Sequence, residues 1–280
     1  MRLLLILSLT LILGCNTLPK ERYDLFEWSP NDNYTDNATV EIRLNNPLHC
    51  PLTVKVGSKR DSANLSAQLS EISPIYLPPM VADTIFRLKG DDTNGKSALS
   101  WTADYAHATD TFQADSFFLP YPYGRTYSIM QGYNGSFSHN DDDARYALDF
   151  TLPVGDTVCA AADGYVVGVI EGFKKGAGSR EWMNYANFIN IYHPNRDLYT
   201  QYVHLKKNGS LVEVGDRVMA GQPIGISGAT GWTSKPHLHF NVIRSVEGKR
   251  ISVPVTFGRK SLTPGAELRK GERHQNLIRR

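Results

Sequence analysis

The segment Gly228-Ala229-Thr230-Gly231-Trp232-Thr233-Ser234-Lys235-Pro236-His237-Leu238-His239-Phe240-Asn241-Val242-Ile243 decides how the chain is read. On an extended segment, residues two apart point to the same face, so His237 and His239 project side by side while Leu238 faces a core. Two parallel imidazoles on a strand are well placed to hold a metal. Zinc is the natural guest, and a catalytic zinc takes three protein ligands and leaves one position for water. A third ligand and supporting groups must then lie upstream.

Upstream stand Ser138-His139 and Leu148-Asp149-Phe150. A carboxylate between apolar neighbours at the start of a strand is desolvated unless a cation or donors compensate it. His139, Asp149 and His239 would together give two imidazoles and a carboxylate for one Zn2+ per chain.

Around this core the sequence is β-rich. Strands are expected over 147–151, 157–161, 165–171, 187–192, 198–204, 217–219, 224–227 and 237–243. Hardly any stretch keeps a helical period, and Leu65 to Ile72 is the weak exception. Before the Pro/Gly-rich break Leu119-Pro-Tyr-Pro-Tyr-Gly124, short alternating runs such as Val40/Ile42/Leu44 and Leu52/Val54/Val56 predict a β-sandwich-like domain with no chemistry of its own. His49 and His107 within it are expected in turn or surface roles. The fold class is therefore all-β, an N-terminal β-sandwich-like domain followed by an antiparallel β-sheet domain.

The 280 residues carry 30 basic and 28 acidic side chains for a net charge of +2, without long like-charge runs, which argues against nucleic acid as a partner. Arg2, the apolar run Leu3 to Leu13 and Gly14-Cys15 are too short for a permanent membrane span. They resemble the signal and lipobox of bacterial lipoproteins, in which the cysteine is acylated; lipidated Cys15 would anchor the protein to a membrane. Cys50 and Cys159 remain, and a buried free thiol is the favoured reading of Cys159 over a bridge between the two.

Nine ordered motifs carry a resemblance. They are Gln131-Gly-Tyr-Asn-Gly135, Ser138-His139, Ala147-Leu-Asp149, Pro153-Val-Gly155, Val158 to Val166, Tyr202-Val-His-Leu205, Val214 to Val218, Gly221 to Gly225, and Gly228 through Phe240. In this order the stretch from about 125 to 245 resembles the lysostaphin-type (LytM-like) zinc metallopeptidases, which act on peptidoglycan. The resemblance implies His139, Asp149 and His239 as zinc ligands and His204 and His237 as catalytic histidines, one as base and one as oxyanion stabiliser in an order the sequence leaves open.

The chain departs from the family in spacing. Three residues commonly separate the first histidine from the aspartate, whereas nine separate His139 from Asp149, so Asp143 is a rival ligand. Asp149 is preferred because Phe-Thr-Leu-Pro-Val-Gly follows it, leaving Asp141 to Asp143 in a solvated insertion. His193 and His274 lack partners and are read as bystanders; Tyr133, Tyr202 and Trp232 are candidates for the groove wall.

The expected organisation is a lipoprotein signal over 1–15, a tether over 16–36, the β-rich domain over 37–118, the peptidase domain over 119–260 and a basic tail over 261–280. The resemblance and the lipobox together imply a zinc endopeptidase that cuts stem peptides or cross-links of peptidoglycan, lipid-anchored at the bacterial envelope, facing the periplasm on the outer membrane. The alternative is a non-catalytic module of the same fold that binds and activates a wall amidase or docks to an envelope complex.

Overall fold

The computed structural model describes residues 18–20, 31–35, 39–59, 63–89, 99–109, 111–114, 116–246, 249–258 and 268–277. The expected signal and Cys15 lie outside the described residues. Strands dominate. The N-terminal half contains β1 (Asn31–Thr35), β2 (Thr39–Leu44), β3 (Leu52–Ser58), α1 (Ala63–Ile72), β4 (Ile75–Leu77), β5 (Thr84–Lys89) and β6 (Leu99–Tyr105). They form two three-stranded sheets, β1-β2-β5 and β4-β3-β6. Alternation sets the packing, because Val40, Ile42, Leu44, Leu52 and Val54 are all buried and their neighbours in sequence are not, except at the strand ends. Leu65 and Leu69, one turn apart on α1, press into the same cluster.

The second half begins with β7 (Thr126–Gln131), β8 (Leu148–Phe150), β9 (Thr157–Cys159), β10 (Gly164–Ile170) and β11 (Gly176–Ala177). After a short 3-10 turn over Arg180–Tyr185 come β12 (Phe188–His193), β13 (Leu198–Val203), β14 (Leu205–Ser210), β15 (Arg217–Val218), β16 (Pro223–Ser227) and β17 (Gly231–Trp232). The last strands are β18 (Leu238–Val246), β19 (Lys249–Ser252) and β20 (Arg273–Gln275). The main sheet runs β15-β10-β12-β13-β18-β8-β7-β20, with β19 hairpinned onto β18, and every pairing in it is antiparallel. One of its faces packs on the small sheet β14-β16-β9 through Val166, Ile189, Ile191, Tyr202, Leu205, Ile224, Leu238 and Phe240.

Several expectations are corrected. The tether expected over 16–36 gives way before its end, because Asn31–Thr35 pairs as a strand with Thr39–Arg43. The expected tail over 261–280 returns to the peptidase sheet: Arg273–Gln275 pairs with Thr126–Ser128, and Asn276 is buried with its amide donating to Tyr121 O at 2.6 Å. The reading of Cys159 as a buried free thiol, by contrast, agrees with the fold: Cys50 and Cys159 are both buried and free, their thiols pushed up to about 12 by burial.

The two halves share a core. Val167, Tyr192, Tyr199 and Ile243 of the main sheet are buried in the N-terminal cluster. Tyr105 stacks on Tyr199 at 4.9 Å, and the Tyr199 hydroxyl donates to Ala106 O at 2.6 Å. Asp197, 3% exposed, accepts from the amides of Ala108 and Thr109 at 2.8 and 3.0 Å and from the Tyr192 hydroxyl at 3.1 Å. His49 and His107 belong to this seam rather than to free turns: His49 stacks on Tyr165 at 4.2 Å, and His107 Nδ1 lies 2.7 Å from Ser245 O.

Candidate metal centre

The register of β7, β8 and β18 places Gln131, Asp149 and His239 directly opposite one another (Gln131↔Asp149, His239↔Asp149), so their side chains share a face. His139 arrives from the loop after β7 and is fully buried. His139 Nε2 lies 3.3 Å from His239 Nδ1 and 3.3 Å from Asp149 Oδ1, and His239 Nδ1 lies 3.0 Å from the same oxygen. Zinc bonds of about 2.0–2.1 Å at tetrahedral angles separate neighbouring ligand atoms by about 3.3 Å. The triangle therefore has the dimensions of one face of a zinc tetrahedron, and this donor set fits the metal.

The surroundings fix these atoms. His139 Nδ1–H donates to Gly132 O at 2.9 Å, which leaves the Nε2 lone pair pointing into the triangle. Asp149 Oδ2 accepts from Gln131 Nε2 at 3.3 Å. Burial opposes the charge on Asp149, but its contacts with the His139 and His239 rings outweigh it and hold the carboxyl far below the usual range. Burial likewise pulls His139 down, and its contact with Asp149 more than reverses this, raising it. At His239 burial prevails and the ring is lowered.

Two more imidazoles face the triangle. His204 is the single residue between β13 and β14 and has φ +68, a left-handed conformation that costs a non-glycine residue about 1 kcal/mol and turns the chain sharply. Its Nδ1 donates to Thr230 O at 2.7 Å. His237 Nδ1 donates to Lys235 O at 2.8 Å, with Thr233 Oγ1 at 3.2 Å. Each neutral ring then offers Nε2 as an acceptor. The two rings lie 4.5 Å apart, and His237 Nε2 is 3.7 Å from Asp149 Oδ1. Burial, then the neighbouring His237 and His239, lower His204 to about 3.

All five residues singled out from sequence thus converge. Asp143 does not: its side chain is 51% exposed and 4.0 Å from Arg250, while its carbonyl accepts the Asn241 amide at 2.7 Å. The insertion is exposed but tied down, since Asp141, Asp142 and Asp143 pair with Arg180, Arg145 and Arg250. Tyr202 is fully buried, its hydroxyl accepting from Ala161 N at 2.7 Å, and the Tyr133 hydroxyl serves the backbone of Val255; neither is a groove wall. Trp232 is half-buried on β17 and packs against Phe137, two residues before His139. His193 is no bystander but a buried structural ring, 2.8 Å from both Asp163 O and Thr200 Oγ1. His274, on β20, pairs with Glu272 just before the strand at 3.2 Å. Sequence reasoning missed Gln131, Thr230 and Lys235 as supports; two of the three act through carbonyls, which leave no side-chain signature.

Residues 143–253 match the model of peptidase family M23. The chain is 36% identical over 110 residues to the peptidoglycan DD-endopeptidase ShyA of Vibrio cholerae, covering 38% of this chain and 23% of that one. It is 44% identical over 98 residues to the glycyl-glycine endopeptidase ALE-1 of Staphylococcus capitis, covering 34% and 23%. An uncharacterized metalloprotease of Buchnera aphidicola is 31% identical over 128 residues, covering 45% and 31%. The chain thus spans less than a third of the length of these curated relatives. Among solved structures, the catalytic domain of lysostaphin from Staphylococcus simulans is 28% identical with a TM-score of 0.32, covering 51% of this chain and 88% of that domain.

Proposed function

We propose, on the premise that residues 143–253 are a domain of peptidase family M23, that the chain is a zinc-dependent endopeptidase acting on peptide bonds in the stem peptides or cross-links of peptidoglycan. The observation that carries this reading is the triangle of His139 Nε2, His239 Nδ1 and Asp149 Oδ1, sized for zinc and flanked by two further imidazoles whose Nε2 atoms are free to accept.

Zinc held there would bring the pKa of a water near 7 and polarise a carbonyl. The chain's own residues supply the rest. His237 and His204, each fixed by an Nδ1–H bond to a backbone carbonyl, stand ready to take a proton at Nε2 and to return it to the leaving amine or stabilise the oxyanion. Gln131 holds the outer oxygen of Asp149 and so sets the plane of the carboxylate. The burial of His139 and Asp149 keeps bulk water from competing for the ligand atoms.

Cys15 would tether the protein by acyl chains at the bacterial envelope, on the periplasmic face of the outer membrane; among the described residues no helix is long and apolar enough to cross a membrane. The test is zinc analysis together with release of soluble fragments from purified peptidoglycan by the zinc-loaded chain lacking residues 1–15. Stoichiometric zinc and fragment release are expected. A zinc-loaded chain that releases nothing would refute the enzyme reading and leave the non-catalytic amidase-activating or docking module.

A further inference from the structure

Four side chains clustered on the loops that lead to His139 and His237 play no part in the reading above: Phe137, Asp141, Arg180 and Trp232. Trp232 is a rigid platform, because β17 runs parallel to β11 (Gly176↔Gly231, Ala177↔Trp232) and the indole Nε1–H donates to Gly178 O at 3.1 Å. Gly231, at φ +79, lets this ladder close, since a Cβ there would lie 2.4 Å from Ala186 Cβ. Phe137, two residues before His139, packs against the indole with centroids 5.2 Å apart and remains 52% exposed. The loops that deliver His139 and His237 therefore meet in this aromatic pair. Over the same indole, 5.7 Å from its centroid, sits the Arg180 guanidinium carbon, and an Arg180 Nη donates to Asp141 Oδ2 at 3.1 Å.

We propose that Arg180 is a specificity-determining residue that binds a free carboxylate of the substrate peptide, and that Asp141 holds its place until substrate arrives; the proposal rests on the endopeptidase reading. A guanidinium laid on an indole keeps its orientation while its N–H edge stays available, and that planar fork matches a carboxylate. Asp141 is already a carboxylate in this place, supplied by the nine-residue spacer between His139 and Asp149. The Arg180 and Asp141 side chains are 63% and 57% exposed, so an incoming carboxylate exchanges with Asp141 in solvent and breaks no buried pair. The exposed edge of Phe137 offers apolar contact to the aliphatic part of the same substrate residue.

The test uses two synthetic cross-linked peptides that differ only in whether the carboxylates beside the scissile bond are free or amidated. The zinc-loaded wild type should prefer the free form. Arg180→Ala should raise KM about tenfold on the free form and leave the amidated form unchanged, whereas Asp141→Ala should lower KM severalfold on the free form. The double variant should match Arg180→Ala, since the two changes share one partner. Equal effects of Arg180→Ala on both peptides would overturn the proposal. Calorimetric titration of the same peptides onto zinc-loaded His237→Ala separates binding from cleavage. A preference for the free carboxylate there, with no turnover by wild type, would sink the endopeptidase reading and retain Arg180; no preference would sink Arg180.

Discussion

The ligand assignment is tested by exchanging Asp149 and Asp143, each separately, for alanine. Asp149 Oδ1 closes a triangle of 3.0 and 3.3 Å edges with His239 and His139, while Asp143 lies half-exposed near Arg250. A metal that binds only the folded state adds RT ln(1 + [L]/Kd), about 2.7 kcal/mol at free zinc one hundred times Kd. Loss of one of three ligands weakens binding by about a hundredfold or more, judged from the 10–100-fold cost of losing even an outer partner, and leaves about 0.4 kcal/mol. The difference of about 2.3 kcal/mol corresponds to about 5–9 °C in a chain of this size. The assay is thermal unfolding with buffered zinc against chelator. Wild type and Asp143→Ala should both show the zinc-dependent rise, and Asp149→Ala should lose it. A full rise in Asp149→Ala, or its loss in Asp143→Ala alone, would refute the triangle.

His237→Ala should keep its zinc, because His237 is outside the triangle, yet lose about a hundredfold or more in peptidoglycan turnover; a variant that also loses zinc by metal analysis contradicts that division. Asp197→Ala strands two backbone amides and the Tyr192 hydroxyl in a buried seam and should cost about 3 kcal/mol in urea unfolding; a change under about 1 kcal/mol would show that the seam does not depend on this carboxylate. Burial lowers His193 to about 4, the Asp163 carbonyl opposing, so its neutral ring supports the fold fully above pH 6.5 and loses that support as pH falls towards 4, by up to about 1.4 kcal/mol per pH unit. His193→Asn should flatten the stability profile of the chain across that window, and an unchanged slope would count against the buried neutral ring.

What the sequence disclosed and what it concealed follow from range. The His237-Leu238-His239 strand was legible because period two is local, and Asp149 because a lone carboxylate between Leu148 and Phe150 needs a partner. The triangle itself depends on β8 pairing with β18 across about ninety residues, a register that no local pattern carries. α1 could be read only weakly, from Leu65 and Leu69 one turn apart. The return of Arg273–Gln275 to the sheet was hidden because a three-residue strand next to charged neighbours looks like a tail. The seam between the halves was hidden for another reason: Tyr192, Tyr199 and Ile243 alternate with core residues on the same strands, so those strands are buried on both faces and lose the polar alternation that would mark an outer surface.

That seam has a consequence for cooperativity. Tyr105 and Ala106 cover and satisfy Tyr199 on β13, the strand that precedes His204 and pairs with the His239 strand, and the amides of Ala108 and Thr109 hold Asp197 in the turn that leads into it. Opening the N-terminal half would uncover Val167, Tyr192, Tyr199 and Ile243 at once, an apolar face too costly to leave in water. The chain should therefore melt in one calorimetric transition rather than two. The slowest-exchanging amides should lie along β12, β13 and β18, beneath the metal triangle and the seam alike.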